Sequence, residues 1–222
     1  MFQRTRFLAS ISALAALIVL SLPAKNASAD EIPATSEGAR EFVSELVDNA
    51  LSALRNKALA VEERKDQLAG HLREGFALDY ISRFVLGRHW RKATSEQRVE
   101  YMDLFSDFII ETYSIRLDEY TDETVEIGEA RAAGKKDIIV ASKIIRRNGP
   151  PVSVDWRIRV KDEVYKVIDL SVEGISMAIS QREEFSAVVQ KDGIDGLLTG
   201  LRDKLNDTRQ APTVAIEASS GG

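Results

Sequence analysis

The sequence predicts an α+β domain: an antiparallel meander of four strands, with helices before it and after it. Three observations carry this. Residues 39–117 show apolar positions at helical spacing, Val152 to Val160 alternates strictly, and helical spacing returns from Ile175. Runs of helices, then strands, then helices give α+β, not alternating α/β. The links between the strands are short, which joins sequential strands as antiparallel neighbours.

Taken in order, Ser36 is the expected cap of a first helix holding Ala39 to Arg55, with Phe42, Leu46, Val47, Ala50, Leu51 and Leu54 on one stripe. Val61 to Phe76 continues as a charged helix with Leu68 and Leu72 inward. Asp79 is expected to cap a short apolar helix, Tyr80 to Leu86, which Gly87 ends. Arg88-His89-Trp90-Arg91 reads as a loop where Trp90 packs and the arginines face water. Thr94-Ser95-Glu96-Gln97 is a capping box that starts the longest helix, to about Leu117. Tyr101, Leu104, Phe105, Phe108, Ile109, Thr112 and Tyr113 share a face of it.

The strands follow. Val125 to Ala130 is the first, Ala132-Ala133-Gly134 a turn, and Asp137 to Arg147 the second. Asn148-Gly149-Pro150-Pro151 supplies turn residues. In the third, Val152, Val154, Trp156, Ile158 and Val160 form one face, while Ser153, Asp155, Arg157 and Arg159 form a wet one. Lys161-Asp162-Glu163 is a polar turn, and Val164 to Val172 is the fourth strand, with Val164, Ile168, Leu170 and Val172 on one parity. Glu173-Gly174 breaks it. Ile175 to Val189 and Ile194 to Leu205 are helices separated at Asp192-Gly193, and a tail from Asp207 shows no periodicity and is expected to be disordered.

Residues 1–29 have the three parts of a secretory signal peptide: Arg4 and Arg6, an apolar run from Phe7 to Leu22, and Ala27-Ser28-Ala29 before Asp30. The run is short for a spanning helix, which needs about 20 apolar residues. Removing it takes away Arg4, Arg6 and Lys25 and no acid, so 27 basic against 35 acidic residues leave a charge of −8. That balance argues against nucleic acid and against stable adsorption to anionic lipid. With no Cys and two His, a metal site would need carboxylates alone, and no ligand spacing of that kind appears. No G-x-S-x-G, P-loop or GxGxxG occurs. A Ser-His-Asp hydrolase would need His71 or His89 as its base, and neither has a supporting local motif. Asp155 has wet-face parity; Asp169 is expected to hydrogen-bond loop amides. The reading is therefore of a protein with no catalytic residues, no cofactor and no metal.

Two blocks carry a family resemblance. Ile168-Asp169-Leu170, Val172, Gly174-Ile175-Ser176, Arg182 and Phe185 form one; Phe84-Val85-Leu86-Gly87, Trp90-Arg91, Ala93-Thr94 and Gln97 form the other. In this order they resemble the MlaC family, periplasmic phospholipid-binding carriers of Gram-negative bacteria, over roughly Ser36 to Leu205. The resemblance implies a domain spanning 30–206 between signal peptide and tail (207–222), and a sheet curved around helices, similar to the NTF2/cystatin arrangement. It implies a phospholipid ligand shuttled between inner and outer membranes. The implied partners are an inner-membrane ABC transporter with an MCE-domain protein and an outer-membrane lipoprotein complex, met by transient docking.

A carrier of a two-chain lipid must replace the membrane for the tails. Burial is worth about 0.8 kcal/mol per methylene, so about thirty methylenes set a scale of roughly 20 kcal/mol. The site must be enclosed and apolar, with the headgroup near its mouth. Parity makes Val152, Val154, Trp156 and Ile158, with Ile168 and Leu170, candidates for one wall. Helical phase makes Phe84, Val85, Phe105, Phe108 and Tyr113 candidates for the opposite one. Three alternatives stand beside this reading: a carrier of another lipid such as a hopanoid, a small-molecule enzyme on an NTF2-like cone using a pocket acid, Tyr101 or Tyr113, and a purely structural protein.

Overall fold

In the computed structural model the described residues are 35–118, 123–147, 149–161 and 164–210, with side chains left out at 113–118, 161, 209 and 210. The expected signal peptide and the tail beyond 210 lie outside them. The element order is α1 (Ser36–Arg55), α2 (Val61–Gly75), α3 (Leu78–Leu86), a 3-10 turn (Gly87–Arg91), α4 (Ser95–Asp118), β1 (Thr124–Ala133), β2 (Asp137–Ile145), β3 (Val152–Lys161), β4 (Val164–Val172), β5 (Ile175–Ser176) and α5 (Met177–Gln210). The strands form one open antiparallel sheet in sequence order, β1 at one edge and β5 at the other. The α+β meander is therefore present, with a fifth, two-residue strand where helical spacing alone was expected.

That extra strand comes from the Glu173-Gly174 turn. Both residues have positive φ, 50° and 79°, which is the backbone of a type I′ hairpin. The chain folds straight back, so Val172 pairs with Ile175 and Ser171 with Ser176. Only then does α5 begin. Its break lies at Gly193 (φ 74°, ψ −178°), where the sequence places it, but the second half runs on to Gln210 instead of giving way to a tail at Asp207. β1 likewise runs through Ala133, so its turn to β2 is Gly134 to Lys136, and β2 stops at Ile145.

Register decides which residues share a face. Ile138 pairs with Ile158, Val140 with Trp156, Ser142 with Val154 and Ile144 with Val152. On the other side Val154 pairs with Val172 and Trp156 with Leu170, but Ile158 pairs with Val167. A bulge at Ile168 puts one extra residue in β4, and an extra residue reverses the parity of everything beyond it. Val167 and Tyr165 consequently join the apolar face, and Val164 leaves it and is exposed. The single-parity reading of Val164, Ile168, Leu170 and Val172 is thus corrected by one inserted residue. A second bulge lies in β1 between Ile127 and Ala130.

Two hydrophobic cores result. One joins α1 to the apolar sheet face through Ala39, Val43 and Val47 against Ile138, Val140, Ile158 and Val167. The other is wholly helical: Val85 of α3, Tyr101, Phe105 and Phe108 of α4, and Phe185, Leu198 and Leu201 of α5. Phe185 is its centre, lying 6.1–6.3 Å from the rings of Tyr101, Phe105 and Phe108.

Caps fix the helices to the sheet. The α1 cap is Thr35, one residue before the expected Ser36: its Oγ1 accepts the Gly38 amide at 3.0 Å. Tyr165 of β4 holds this end, its hydroxyl accepting the Thr35 amide at 3.1 Å and its ring stacking on Phe42 at 6.0 Å. A Cβ on Gly38 would stand 2.4 Å from that hydroxyl, so only glycine allows the approach. In α2, Leu68 is fully buried but Leu72 only half so. α3 has no side-chain cap; Asp79 lies in its first turn instead, where a carboxylate favours the helix dipole. Thr94 and Gln97 do form the capping box, with reciprocal bonds of 3.2 and 3.0 Å.

Candidate functional site

The apolar face of the sheet is unevenly covered. α1 closes it over Ile158 and Val167, both fully buried, and Val154 is also buried. Val125, Ile127, Val152, Trp156, Leu170 and Val172 are only half-buried. This leaves a strip of aliphatic and aromatic side chains running from β1 through the half-buried Ile144 of β2 to β3 and β4. Trp156 is held in it by a polar relay: its indole N–H donates to Ser142 Oγ at 2.9 Å, and the Ser142 hydroxyl donates to the Val154 carbonyl at 3.1 Å. Ser142 is buried and both of its hydrogen-bonding needs are met, so the strip keeps an apolar surface despite the hydroxyl.

The opposite sheet face is polar. Asp137, buried at the start of β2, accepts from Arg157 Nε at 2.8 Å and Arg159 Nε at 2.6 Å. Burial pushes its pKa up, but the bonds from Arg159 and Arg157 outweigh this and hold it below the usual range. Asp155 lies 3.7 Å from Arg131. Neither acid has access to the apolar strip, because both alternate away from it.

The sequence candidates thus fall into two groups. Val152, Val154, Trp156, Ile158 and Leu170 share the apolar sheet face; Ile168 sits at the bulge, buried, and belongs to neither core cluster. Val85, Phe105 and Phe108 are in the helical core around Phe185, with Phe84 packed against it. Tyr113 lies where side chains are not described. The two groups do not interlock as opposing walls. They meet through Phe76, which packs against both cores. Phe76 follows α2 with an extended backbone and bridges to Val167, where the next amide, Ala77, donates to the Val167 carbonyl at 2.9 Å. Sequence reading passed over Phe76 as the end of a charged helix. Its one signal was a large aromatic residue directly after a glycine, Gly75, at a helix end.

The residues kept in view for catalysis are otherwise engaged. Asp169 accepts from the Ser176 hydroxyl at 2.6 Å and from the Ala178 amide at 3.1 Å, and Ser176 in turn accepts the Ile179 amide at 3.1 Å. It anchors the start of α5, as expected of a residue bonding loop amides. Tyr101 is fully buried, donates to the Ser82 carbonyl at 3.0 Å, and burial drives its phenol far above the usual range. His89 is buried, unlike the loop its segment suggested, with Nε2 3.2 Å from Ser186 Oγ. Burial, then Arg88 and Lys92, lower its pKa. Among the described residues no carboxylate bonds its ring, so the third member of a triad is absent from the pair. No group of three or more potential metal ligands occurs among the described residues. An open groove of about 600 Å³ on α4 is lined by Ser95, Glu96, Val99, Glu100, Asp103 and Leu104. No helix of the described residues is long and apolar enough to cross a membrane.

Comparison with known proteins identifies the family and the fold. The family model for the MlaC protein matches residues 44–203. The intermembrane phospholipid transport system binding protein MlaC of Haemophilus influenzae is 28% identical over 129 residues, covering 56% of this chain and 60% of that protein. The toluene tolerance protein ttg2D of Pseudomonas putida is 26% identical over 136 residues, covering 60% and 63%. The chain thus spans less than two thirds of the length of either relative. Among solved structures, the phospholipid-binding protein from Ralstonia solanacearum, in complex with a phospholipid, superposes with a TM-score of 0.69 at 24% identity, over 78% of this chain and 99% of that one. It shares the fold. With the family model matched along most of the described residues, and the strand–turn–helix run from Ile168 to Phe185 inside the match, this chain belongs to the MlaC family.

Proposed function

We propose that this protein is a soluble periplasmic carrier that takes phospholipid acyl chains onto the apolar face of its sheet and moves the lipid between inner and outer membranes. The observation that carries the reading is the half-covered apolar strip of Val152, Trp156, Leu170 and their neighbours, bordered by two cores that touch through Phe76. A soluble domain gains by covering such a strip, and flexible methylene chains fit it without needing polar partners. The Haemophilus influenzae relative is named for phospholipid transport and the structural neighbour for phospholipid binding, which supports the same cargo.

In this reading the lipid leaves a bilayer and enters a protein of similar polarity. The roughly 20 kcal/mol of hydrophobic burial is then conserved through the exchange rather than released. The carrier therefore needs no nucleotide of its own. An inner-membrane ABC transporter with an MCE-domain protein and an outer-membrane lipoprotein complex are the proposed ends of the route. In this reading the half-buried residues meet the tails, while Ile158 is sealed beneath α1 on the same face and Val85 and Phe105 fill the helical core.

Native mass spectrometry of protein purified from a Gram-negative periplasm, with extraction of bound lipid, tests this. The expected result is a one-to-one adduct of phospholipid mass. A triterpenoid mass would keep the carrier and change its cargo. A clean apo mass, with no uptake from phospholipid vesicles, would overturn the proposal.

A further inference from the structure

The chain carries a net charge of −5, yet one region is strongly cationic. Arg83, Arg88, Arg91, Lys92, Arg98 and Arg182 gather around the 3-10 turn from the end of α3, the start of α4 and the first half of α5. Five are exposed and Arg98 half-buried. Aromatic rings bring three of them together: Arg83 and Arg98 lie 4.8 and 5.4 Å from the Trp90 centroid, and Arg182 lies 5.2 Å from that of Phe84; Arg88, Arg91 and Lys92 are neighbours along the turn. Arg182 also packs so closely on Gly87 that a Cβ there would be 2.9 Å from its Nε.

None of the six forms an ion pair among the described residues. Elsewhere exposed cations do: Arg73 with Asp107, Arg131 with Asp155 and Arg202 with Glu100. Cation–π stacking fixes a guanidinium plane and leaves N–H edges free. Arg98 Nε donates to the Trp90 carbonyl at 2.9 Å and Arg88 Nε to His89 Nε2 at 3.4 Å, so it is their terminal N–H groups, held in a fixed plane, that suit a carboxylate. One helical turn before Arg182, Ile179 is exposed to 50%. Oriented arginine, tryptophan and exposed aliphatic side chains together form the composition of an interface centre.

We infer that this Trp90-centred patch is a docking surface for the acidic face of a protein partner. The alternative occupant, an anionic bilayer, fits less well. Glu96, Glu183 and Glu184 are exposed on the same elements, and a flat anionic plane must meet them together with the cations, whereas an acidic polypeptide can follow the cations alone. A protein face places its carboxylates against the cations alone, which gives register as well as attraction. The patch shares no residue with the apolar strip, so docking and lipid content are measured separately.

The probe is immobilised poly-L-glutamate at about 50 mM salt, where screening is modest. A net-negative protein binds it only through a local cationic surface. The native protein is expected to be retained. Arg91→Glu with Lys92→Glu is expected to lose about tenfold in apparent affinity, and Arg83→Gln with Arg98→Gln to weaken it in the same direction. Lys135→Glu with Lys136→Glu makes the same charge change at the exposed β1–β2 turn and is expected to leave retention unchanged. Melting curves matching the parent establish that each variant is folded. Equal losses at both sites, or no retention of the native protein, would overturn the inference. So would co-sedimentation with phosphatidylglycerol vesicles without retention on polyglutamate, which would make the bilayer the occupant.

Discussion

Replacing Asp137 by Asn tests how the wet face of the sheet is held. The carboxylate side chain is 5% exposed, while Arg157 and Arg159 keep 46% and 28%. Removing one member of a fully buried pair costs about 3–5 kcal/mol. Here the stranded arginines reach water, so about 2 kcal/mol is the reasoned figure. For a domain of this size that lowers Tm by roughly 4–8 °C. The sign with pH follows from the depressed carboxylate pKa in the fold. The stabilisation is fully present above the unfolded aspartate value of about 3.9 and disappears as pH falls through the folded value. Thermal melts of parent and variant from about pH 3 to 7 should therefore diverge at neutral pH and converge at the acid end. Curves that stay parallel, or a neutral-pH difference within about 1 °C, would refute the reasoning.

Trp156→Asp places a carboxylate in the apolar strip and should abolish the lipid adduct in native mass spectra; a folded variant with unchanged lipid content would remove Trp156 from the site. Phe105→Ala empties a fully buried position and should cost about 3–5 kcal/mol while leaving one lipid per protein; loss of lipid with a parental melt would make Phe105 a contact residue instead. Asp169→Asn weakens the charge-assisted bonds to Ser176 and Ala178, and should cost about 1–2 kcal/mol with lipid uptake intact. Failure to load lipid in a stable Asn variant would assign Asp169 a role beyond anchoring α5.

The helical stripes, the capping box at Thr94 and the alternation from Val152 to Val160 were legible because each is a local pattern with a local cause. What was not legible depends on partners distant in sequence. The β4 bulge is one residue, and nothing in Val164 to Val172 marks Ile168 as the extra one until β3 is laid beside it. Arg157 and Arg159 read correctly as facing outward, but that they converge on a buried Asp137 follows from the β2–β3 register. Thr35 and Ser36 are equally good caps in isolation; Tyr165, 130 residues away, selects the first. The candidate walls were drawn from phase alone, which gives the face a residue lies on and not which of two cores that face meets. Phe76's bridging place and the burial of His89 escape a sequence reading for the same reason: their partners, Val167 and Ser186, lie on other elements.

The bulge between Ile127 and Ala130 bears on solubility. Among the described residues β1 has no strand on its outer side, and such an edge invites pairing with a second copy of the same chain. The bulge interrupts its ladder midway, and Glu126, Glu129 and Arg131 line the strand with exposed charge. At the far edge, β5 and the Phe76 bridge already occupy β4. Both sheet edges are therefore guarded, so the half-covered apolar face can stay open without the strand edges adding a second route to self-association.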